Sequence, residues 1–481
     1  MGESSKSKIQ FQPLNQTQRF VTSVLAIGCF HLAYTPANPG SLSLAILGYV
    51  IALTQLARLP SPWLSFYFGL VVGFACVAPQ LECFWRIFGP AAVPLWLILA
   101  FWIALFTTLS HVALAGLGAK RAALLIPFFW CGLEYFRSEL YFLKFSWLNV
   151  GYAFAAPPFL AINRLGMYGV GFLAALLGAT FIAFHFRKAL LGSVIIVAFA
   201  ILLATIMKSA SPTDEIQSPI RMAGIQLEFP SQLDLAPALE KHASTNAAFD
   251  LLVLPENTLE GGPSDLLRNW CRTQQKFLIV GGKDESPTDN FYNTAFVVGT
   301  NGDTLFQQAK SVPVQFFKDG LPASHQKLWD SPWGRLGICI CYDLSYTRVT
   351  DELVRQGAQL LIVPTMDVIE WGRHEHELHA RVAPVRAMEY GLPIFRVASS
   401  GISQGVDYHG QVQSRAPFPG EGEVIRFKVS PVERGSRPPD RWLAWGSVIL
   451  TALFIAWLPV ARWRERRRNS KPSDQVSSAA S

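Results

Sequence analysis

The sequence predicts two unlike halves: an α-helical transmembrane bundle of about eight spans, and one α/β domain set between the seventh span and the eighth. Three observations carry the prediction. Hydrophobic residues make up 51% of the 481-residue chain and charged residues only 16%, a balance unusual for a soluble protein. Apolar runs approaching the roughly 20 residues that a bilayer requires fill most of the first two hundred positions and recur once near the C-terminus. Between them, residues 218–436 alternate short apolar runs with polar stretches, as the strands and helices of an α/β domain do.

Residues 1–19 are polar, carry no secretory cleavage pattern and read as a cytoplasmic segment. The membrane domain follows over 20–208, with spans near 20–36, 42–57, 63–84, 91–117, 121–138, 165–186 and 189–207; the eighth runs over 442–460. The basic flank Arg462-Trp463-Arg464-Glu465-Arg466-Arg467-Arg468 fixes the tail, 461–481, on the cytoplasmic side. Counting back, the loops holding Arg58, Lys120 with Arg121, and Arg187 with Lys188 fall on that side too, and each carries Lys or Arg and no acid. The net charge of +7 therefore reads as membrane topology, and no nucleic-acid partner is expected. Both termini come out cytoplasmic and the α/β domain extracytoplasmic. Glu134, His31 and His111 lie inside spans, where an ionisable group is a functional candidate, although packing between helices explains each of them equally well.

In the α/β domain, runs at 222–227, 251–254, 277–280, 295–298, 336–340, 360–363 and 394–397 read as strands, with turn signals at Gly281-Gly282 and Asn301-Gly302. The stretch 434–440, with Gly435, Pro438 and Pro439, is the linker into the last span. Seven cysteines show neither the density of a disulfide scaffold nor a metal-ligand spacing, so no disulfide framework, metal or cofactor is expected.

Three places combine a strand end with a reactive side chain. Leu251-Leu252-Val253-Leu254-Pro255-Glu256 releases Glu256, Lys310-Ser311-Val312-Pro313 offers Lys310, and Gly337-Ile338-Cys339-Ile340-Cys341-Tyr342-Asp343 ends on a thiol, an aromatic residue and an acid. A thiol is a useful nucleophile only when a base or a positive field makes it a thiolate. Glu256 could take that proton, and Lys310 could favour the thiolate and neutralise an oxyanion formed at a carbonyl. Cys339 and Cys341 face the same side of a strand, and the pattern alone does not choose between them. Taken singly, each residue has a bland reading: a solvated turn acid, a surface lysine, a core cysteine. Their order within one domain makes the case.

That trio resembles the Glu-Lys-Cys triad of the nitrilase superfamily of carbon–nitrogen hydrolases, which implies an αββα sandwich over about 218–430. Met222-Ala223-Gly224-Ile225-Gln226, Tyr292-Asn293-Thr294, and Arg386-Ala387-Met388-Glu389 leading to Gly401-Ile402-Ser403 match in order. With the membrane segments, and with Phe145-Ser146-Trp147-Leu148-Asn149-Val150-Gly151-Tyr152 followed by Leu165-Gly166-Met167-Tyr168-Gly169-Val170-Gly171-Phe172-Leu173, the whole chain resembles the apolipoprotein N-acyltransferase family of bacterial inner membranes.

The resemblance implies Cys341 as nucleophile, since the family's cysteine directly precedes Tyr and an acid. It also implies Glu256 as general base, Lys310 as oxyanion stabiliser, and Tyr342 and Asp343 as oxyanion and orienting groups, Asp343 standing where the family has Glu. His379 falls where the family has a histidine, and Asp367 opens a stretch, 367–372, that replaces the family's usual lid motif; Phe316, Phe317 and Trp371 are apolar enough to cover an acyl chain at the substrate site or lid, or equally to anchor a buried loop. The chain departs from the family after the lysine: Pro313 follows three residues on, and Val314-Gln315-Phe316-Phe317 supplies no acid. Lys318 is the alternative lysine. The implied reaction moves an acyl chain from a phospholipid, through a cysteine thioester, to the amino group of a diacylglyceryl-cysteine lipoprotein, by a monomer without cofactor. The rivals are a membrane-anchored amidase of a small molecule, a degenerate pseudoenzyme, and a transporter or receptor with a ligand-binding outer domain.

Overall fold

The computed structural model describes residues 12–35, 40–155, 162–206, 218–244, 248–286, 290–420 and 422–469. The ends of the N-terminal segment and of the basic tail, and Met207 at the end of the seventh segment, lie outside them.

All eight predicted apolar segments are helical over most of their described length: Gln16–Ala33, Ala45–Gln55, Pro62–Gln80, Ala92–Leu117, Ala119–Tyr135, Met167–Ala183, Phe186–Ile206 and Asp440–Asn469. Local chemistry sets where they begin. Asn15 and Gln18 form a reciprocal capping box at the first. Ser61 caps the third, its hydroxyl accepting from Leu64 N–H at 3.3 Å, with Pro62 in the position that has no N–H to lose. The third segment stops at Gln80, short of the expected 84, and a separate helix Cys83–Phe88 leads into the fourth. By length and composition, Ser41–Arg58, Pro62–Gln80, Cys83–Leu117 and Asp440–Arg464 can cross a membrane; Met167–Ala183 is apolar but shorter.

The ionisable groups expected inside these helices have packing partners. His31 bonds the Ala75 carbonyl at 3.0 Å and the Gln80 amide at 2.9 Å, and His111 meets the Ala57 carbonyl at 3.0 Å. Glu134 accepts from Val150 N–H at 2.9 Å, tying its helix to the loop that follows.

The α/β domain is two six-stranded sheets. With strands numbered in chain order, the first sheet runs β12 (Val424–Val429), β1 (Ile220–Ile225), β2 (Leu251–Val253), β3 (Phe277–Glu285), β4 (Phe291–Val298), β5 (Thr304–Ala309). The second runs β11 (Val412–Ala416), β10 (Ser403–Val406), β9 (Ile394–Ala398), β8 (Leu360–Thr365), β7 (Gly334–Ile338), β6 (Leu328–Ser331). Each has three parallel strands at its centre, β1–β2–β3 and β7–β8–β9, with antiparallel strands outside.

Side chains alternate along these strands, and the alternation builds the layers. Met222, Leu251, Val253 and Ile279 turn inward to share one core with Ile338, Leu360 and Ile362 of the other sheet. Ala223, Ile225, Leu252 and Leu278 turn outward, onto Leu235, Leu239, Leu267 and Trp270 of the helices Gln232–Ser244 and Asp265–Gln274. Helices Thr347–Gln356 and Val382–Tyr390 pack through Leu353 and Val385 into the core of the second sheet. The result is the expected αββα sandwich.

One expectation is corrected. Gly281-Gly282 is not a turn; it sits in the middle of β3. A Cβ on Gly281 would stand 2.5 Å from Glu256 Cα and 2.6 Å from the Pro255 carbonyl oxygen, so the glycine is there to let the Glu256 turn lie against the strand.

The two halves interlock at the turn that follows β7. Trp147 Nε1–H donates to Ser345 Oγ at 2.9 Å, and Ser146 Oγ to the Ser345 carbonyl at 3.2 Å. The Tyr342 hydroxyl donates to the Lys144 carbonyl at 3.0 Å, while Thr347 N–H and the Tyr168 hydroxyl both donate to Glu139, each at 3.0 Å.

Candidate active site

β2, β5 and β7 end at one place. Glu256 lies three residues beyond β2, Lys310 directly follows β5, and Cys341 lies three residues beyond β7, opening a short 3-10 turn over Cys341–Ser345. Lys310 Nζ sits 2.7 Å from Glu256 Oε1 and 2.7 Å from Asp319 Oδ2, with all three side chains nearly inaccessible. Asn293 of β4 donates to Glu256 Oε1 and to Asp319 Oδ1, both at 2.7 Å. Met366 N–H donates to Glu256 Oε2 at 2.8 Å, and Val314 N–H to Asp319 Oδ2 at 2.7 Å. Each carboxylate oxygen of Glu256 and Asp319 therefore has a donor.

Asp319 is the acid that the sequence reading did not find. The stretch directly after the lysine has none, but the loop doubles back through Phe316 and Gly320, both at positive φ, and returns Asp319 to Lys310. The sequence held one signal, an acid-glycine pair next to Lys318, whose own side chain is exposed.

Cys341 has φ +50°, a backbone conformation that costs a non-glycine residue free energy and that clusters at functional sites. Phe229, Asn257 and Phe316 also have positive φ and line the same cavity as Cys341. Among the described residues, Gln275 alone adopts such a φ elsewhere without being glycine. The thiol of Cys341 lies 3.7 Å from the Met366 carbonyl. Burial pushes it well above its usual range, Glu256 adds to the shift, and Lys310 opposes it. Burial likewise raises Glu256 against the pull of Lys310. For Lys310, burial alone would favour the neutral amine, but Glu256, Asp319 and Cys341 outweigh it and hold the ammonium well above its usual range. Cys339 is fully buried, donates its N–H to the Ile362 carbonyl at 3.0 Å, and does not line the cavity.

Asp343 does not face the thiol. Its carboxylate accepts from Ser311 N–H at 3.0 Å, Val312 N–H at 2.7 Å and Ile340 N–H at 3.2 Å, which pins the lysine loop to the cysteine turn. Burial pushes its carboxyl up to about 6, against the pull of Lys310 and these N–H groups. Tyr342 packs edge-on to Trp147, ring centres 5.9 Å apart. Arg386 is fully buried and donates to the carbonyls of Leu344 at 3.0 Å and Ser345 at 2.7 Å, holding the far end of the turn.

A cavity of about 340 Å³ runs from Cys341 and Lys310 to Phe84, Phe88, Leu95, Ile98 and Leu99 of the helical half. Phe316, Phe317, Trp371 and His379 line it. Phe316 and Phe317 each approach Phe88 at 5.9 Å, and Trp371 lies 6.0 Å from Phe317, so these rings form a wall shared by both halves. Asp367 is placed differently from the other expected lid residues. It is fully buried, bonded to His379 Nδ1 at 2.7 Å and to Arg396 at 2.5 Å, and it orients the histidine that stacks on Trp147 at 4.6 Å.

Two sets of side chains, Cys341 with Asp367 and His379, and Asp367 with Glu375 and His376, bring ligand-type atoms within 4.8 Å of one another. Arg396 already supplies positive charge to the shared Asp367, so a metal ion would have to compete with a guanidinium.

Comparison with known proteins fits this architecture. Residues 28–180 match the apolipoprotein N-acyltransferase N-terminal domain, and residues 220–418 match the carbon-nitrogen hydrolase family. An apolipoprotein N-acyltransferase of Shewanella oneidensis is 25% identical over 74% of this chain and 78% of its own, and one of Azotobacter vinelandii is 25% identical over 88% of this chain and 92% of its own. A solved nitrilase-superfamily structure from Saccharomyces cerevisiae covers 46% of this chain and 93% of its own at 22% identity and TM-score 0.39. Over both halves, then, the chain is similar to the apolipoprotein N-acyltransferases: the helical half to their N-terminal domain, and the α/β half, built as two sheets, to the carbon-nitrogen hydrolase family.

Proposed function

We propose that the protein is an N-acyltransferase that carries a fatty acyl chain from a phospholipid, through a thioester on Cys341, to the amino group of a diacylglyceryl-cysteine lipoprotein. One observation carries the reading: a buried, fully paired Glu256–Lys310–Asp319 cluster opens, at Cys341, into an apolar cavity whose far wall belongs to the helical half. A small-molecule amidase has no use for such a wall.

In the first step Glu256 takes the Cys341 proton as the sulfur attacks the ester carbonyl. The charge developing on that oxygen is met by Lys310 and by the backbone N–H of Tyr342; the ester C–O bond then breaks, and Glu256 returns its proton to the departing lysophospholipid oxygen. The raised thiol fits this sequence, since the resting cysteine stays protonated and reacts only when a carbonyl is present to receive the electron pair. In the second step the amine attacks the thioester carbon and gives a proton to Glu256, the C–S bond breaks as the amide forms, and that proton passes to the released Cys341 sulfur. Asp319 and Asn293 act on Glu256 and Lys310 by position, and Asp343 holds the lysine loop against the cysteine turn.

The helical half crosses the bacterial cytoplasmic membrane eight times, with the α/β half on the extracytoplasmic face and the basic tail within. Holding both lipid substrates in one bilayer with the site raises their effective concentration and orients them.

The test is to mix the purified protein with a phospholipid carrying a labelled acyl chain, omit the acceptor, and weigh the intact chain. An adduct lost in Cys341→Ala, kept in Cys339→Ala, and discharged by a diacylglyceryl peptide with a free amine is expected. Absence of an adduct with every donor tried, beside hydrolysis of simple amides, would overturn the reading in favour of an amidase.

A further inference from the structure

One buried acid in the cavity wall has no partner. Glu375 lies on the helix Arg373–Ala380, lines the cavity and is 3% exposed, yet among the described residues neither of its carboxyl oxygens has a hydrogen-bond partner. The charged and titratable groups around it are accounted for. His376 Nδ1 stands 3.2 Å away, outside hydrogen-bond geometry, and His379 Nδ1 stands 3.9 Å away. Asp367 and Arg396 act on it in opposite senses, and Cys83 across the cavity feels its charge. Arg396 spends its guanidinium on Asp367 and on the Ile402 carbonyl. Burial, reinforced by Asp367, raises the carboxyl well above its usual range.

Leaving a buried carboxyl unbonded is costly, so one on a cavity wall calls for a donor that the chain itself does not supply. The position narrows the ligand. His379 lies 3.9 Å from Glu375, and one of its ring nitrogens lies within 4.8 Å of the Cys341 thiol. Glu375 and Cys341 therefore line one cavity on either side of His379, and a group held by Glu375 shares that cavity with a carbonyl carbon attached to the sulfur. Such a group must carry N–H donors that both carboxyl oxygens can accept, which a primary amine does.

We infer that Glu375 is the recognition site for the amino group of the acyl acceptor: its carboxyl oxygens accept the N–H bonds of the incoming amine and hold it beside the Cys341 thioester. The inference rests on the acyl-transfer reading above, and the readouts separate the two. The same chemistry could be offered by an ethanolamine headgroup of the donor. That amine, however, is many bonds from the reacting ester, whereas the acceptor's amine is itself the attacking atom.

The experiment compares wild type, Glu375→Ala and Glu375→Gln in two separated half-reactions. Formation of the acyl adduct on Cys341 is followed by intact mass with phosphatidylethanolamine and with phosphatidylglycerol, and transfer is followed with a diacylglyceryl peptide bearing a free α-amine. Expected in Glu375→Ala is an unchanged adduct rate with both donors and an acceptor KM raised about tenfold or more, the loss of one hydrogen bond to a charged group. Glu375→Gln, which keeps an acceptor oxygen, recovers part of that loss. Competition with an α-hydroxy analogue of the peptide adds a readout that damaged packing would not move: wild type prefers the amine, and Glu375→Ala loses the preference. An unchanged acceptor KM in both variants overturns the inference, as does a defect confined to acylation by phosphatidylethanolamine, which would assign Glu375 to the donor. If Glu375→Ala does not fold, the near-isosteric Glu375→Gln decides between the same outcomes. No adduct even in wild type would instead overturn the acyl-transfer reading itself.

Discussion

Two polar clusters flank Cys341, and they are built on opposite terms. On one side, Glu256, Lys310 and Asp319 are closed on themselves: four carboxylate oxygens and one ammonium are all matched, largely at 2.7 Å. On the other side, Asp367, His379 and Arg396 are bonded, while the side chains of Glu375 and His376, equally buried, have no hydrogen-bond partner among the described residues. The difference separates two jobs. A closed cluster meets each substrate molecule already arranged, and its charges need no reorganisation when the reaction begins. An open cluster has capacity left for a group that arrives and departs.

Removing the nucleophile should break the closed side completely. Cys341→Ala should give no acyl adduct by intact mass, while Cys339→Ala, a change in the strand core, should retain it. Lys310→Met comes next. It should slow adduct formation by about 10²–10³-fold, the usual cost of a lost oxyanion donor. It also strands Glu256 and Asp319 as buried carboxylates, so thermal denaturation should show a loss of about 3–5 kcal/mol. Gly281→Ala touches no substrate yet pushes on the Glu256 backbone; a displacement of about 1 Å should cost about 100-fold in acylation rate, with a melting loss of about 1–3 kcal/mol from the overpacked strand.

The pH dependence is a gentler probe of the same side. Burial raises Glu256, so its base form is lost as pH falls through a value above the ordinary 4.5, and adduct formation should decline on the acid side earlier than for an unperturbed carboxylate. A rate profile flat down to pH 4.5 would remove Glu256 from the role of base. The smallest effect belongs to the open side. His376 stacks on Phe418 at 4.2 Å and has both ring nitrogens unbonded, so His376→Phe should leave acylation unchanged and stability level or higher, by up to about 1 kcal/mol in a melting experiment.

The contrast also explains what the sequence made legible. Glu256 and Cys341 could be read because each follows an unbroken apolar strand, and Lys310 because it stands in order between them with a proline three residues on. The eight helical segments were visible for the same reason, as unbroken apolar length. Asp319 was not visible, because its approach to Lys310 depends on a loop that reverses at Phe316 and Gly320, and nothing local to Phe316 announces a positive φ. Gly281-Gly282 misled because glycine marks both a turn and a strand that another backbone must touch, and only the Glu256 turn lying against it tells the two apart. β5, β6, β10, β11 and β12 escaped notice as flanking strands: their sequences, such as Val412-Gln413-Ser414-Arg415-Ala416, lack the unbroken apolar run that marks each central parallel strand. Glu375 reads in sequence as one more acid in Arg373-His374-Glu375-His376-Glu377; its isolation exists only in three dimensions.

The turn carrying Cys341 is clasped by the helical half, through Trp147 and Ser146 on Ser345 and through the Lys144 carbonyl on Tyr342. The geometry of the thiol is in that sense borrowed from outside the domain that owns it. An α/β half cut free at residue 218 would keep its sheets and lose the clasp, a correctly folded protein with a loosened nucleophile. The same dependence makes solubilisation the delicate step in handling the intact chain: a detergent that relaxes the helices should silence the cysteine well before any strand comes apart.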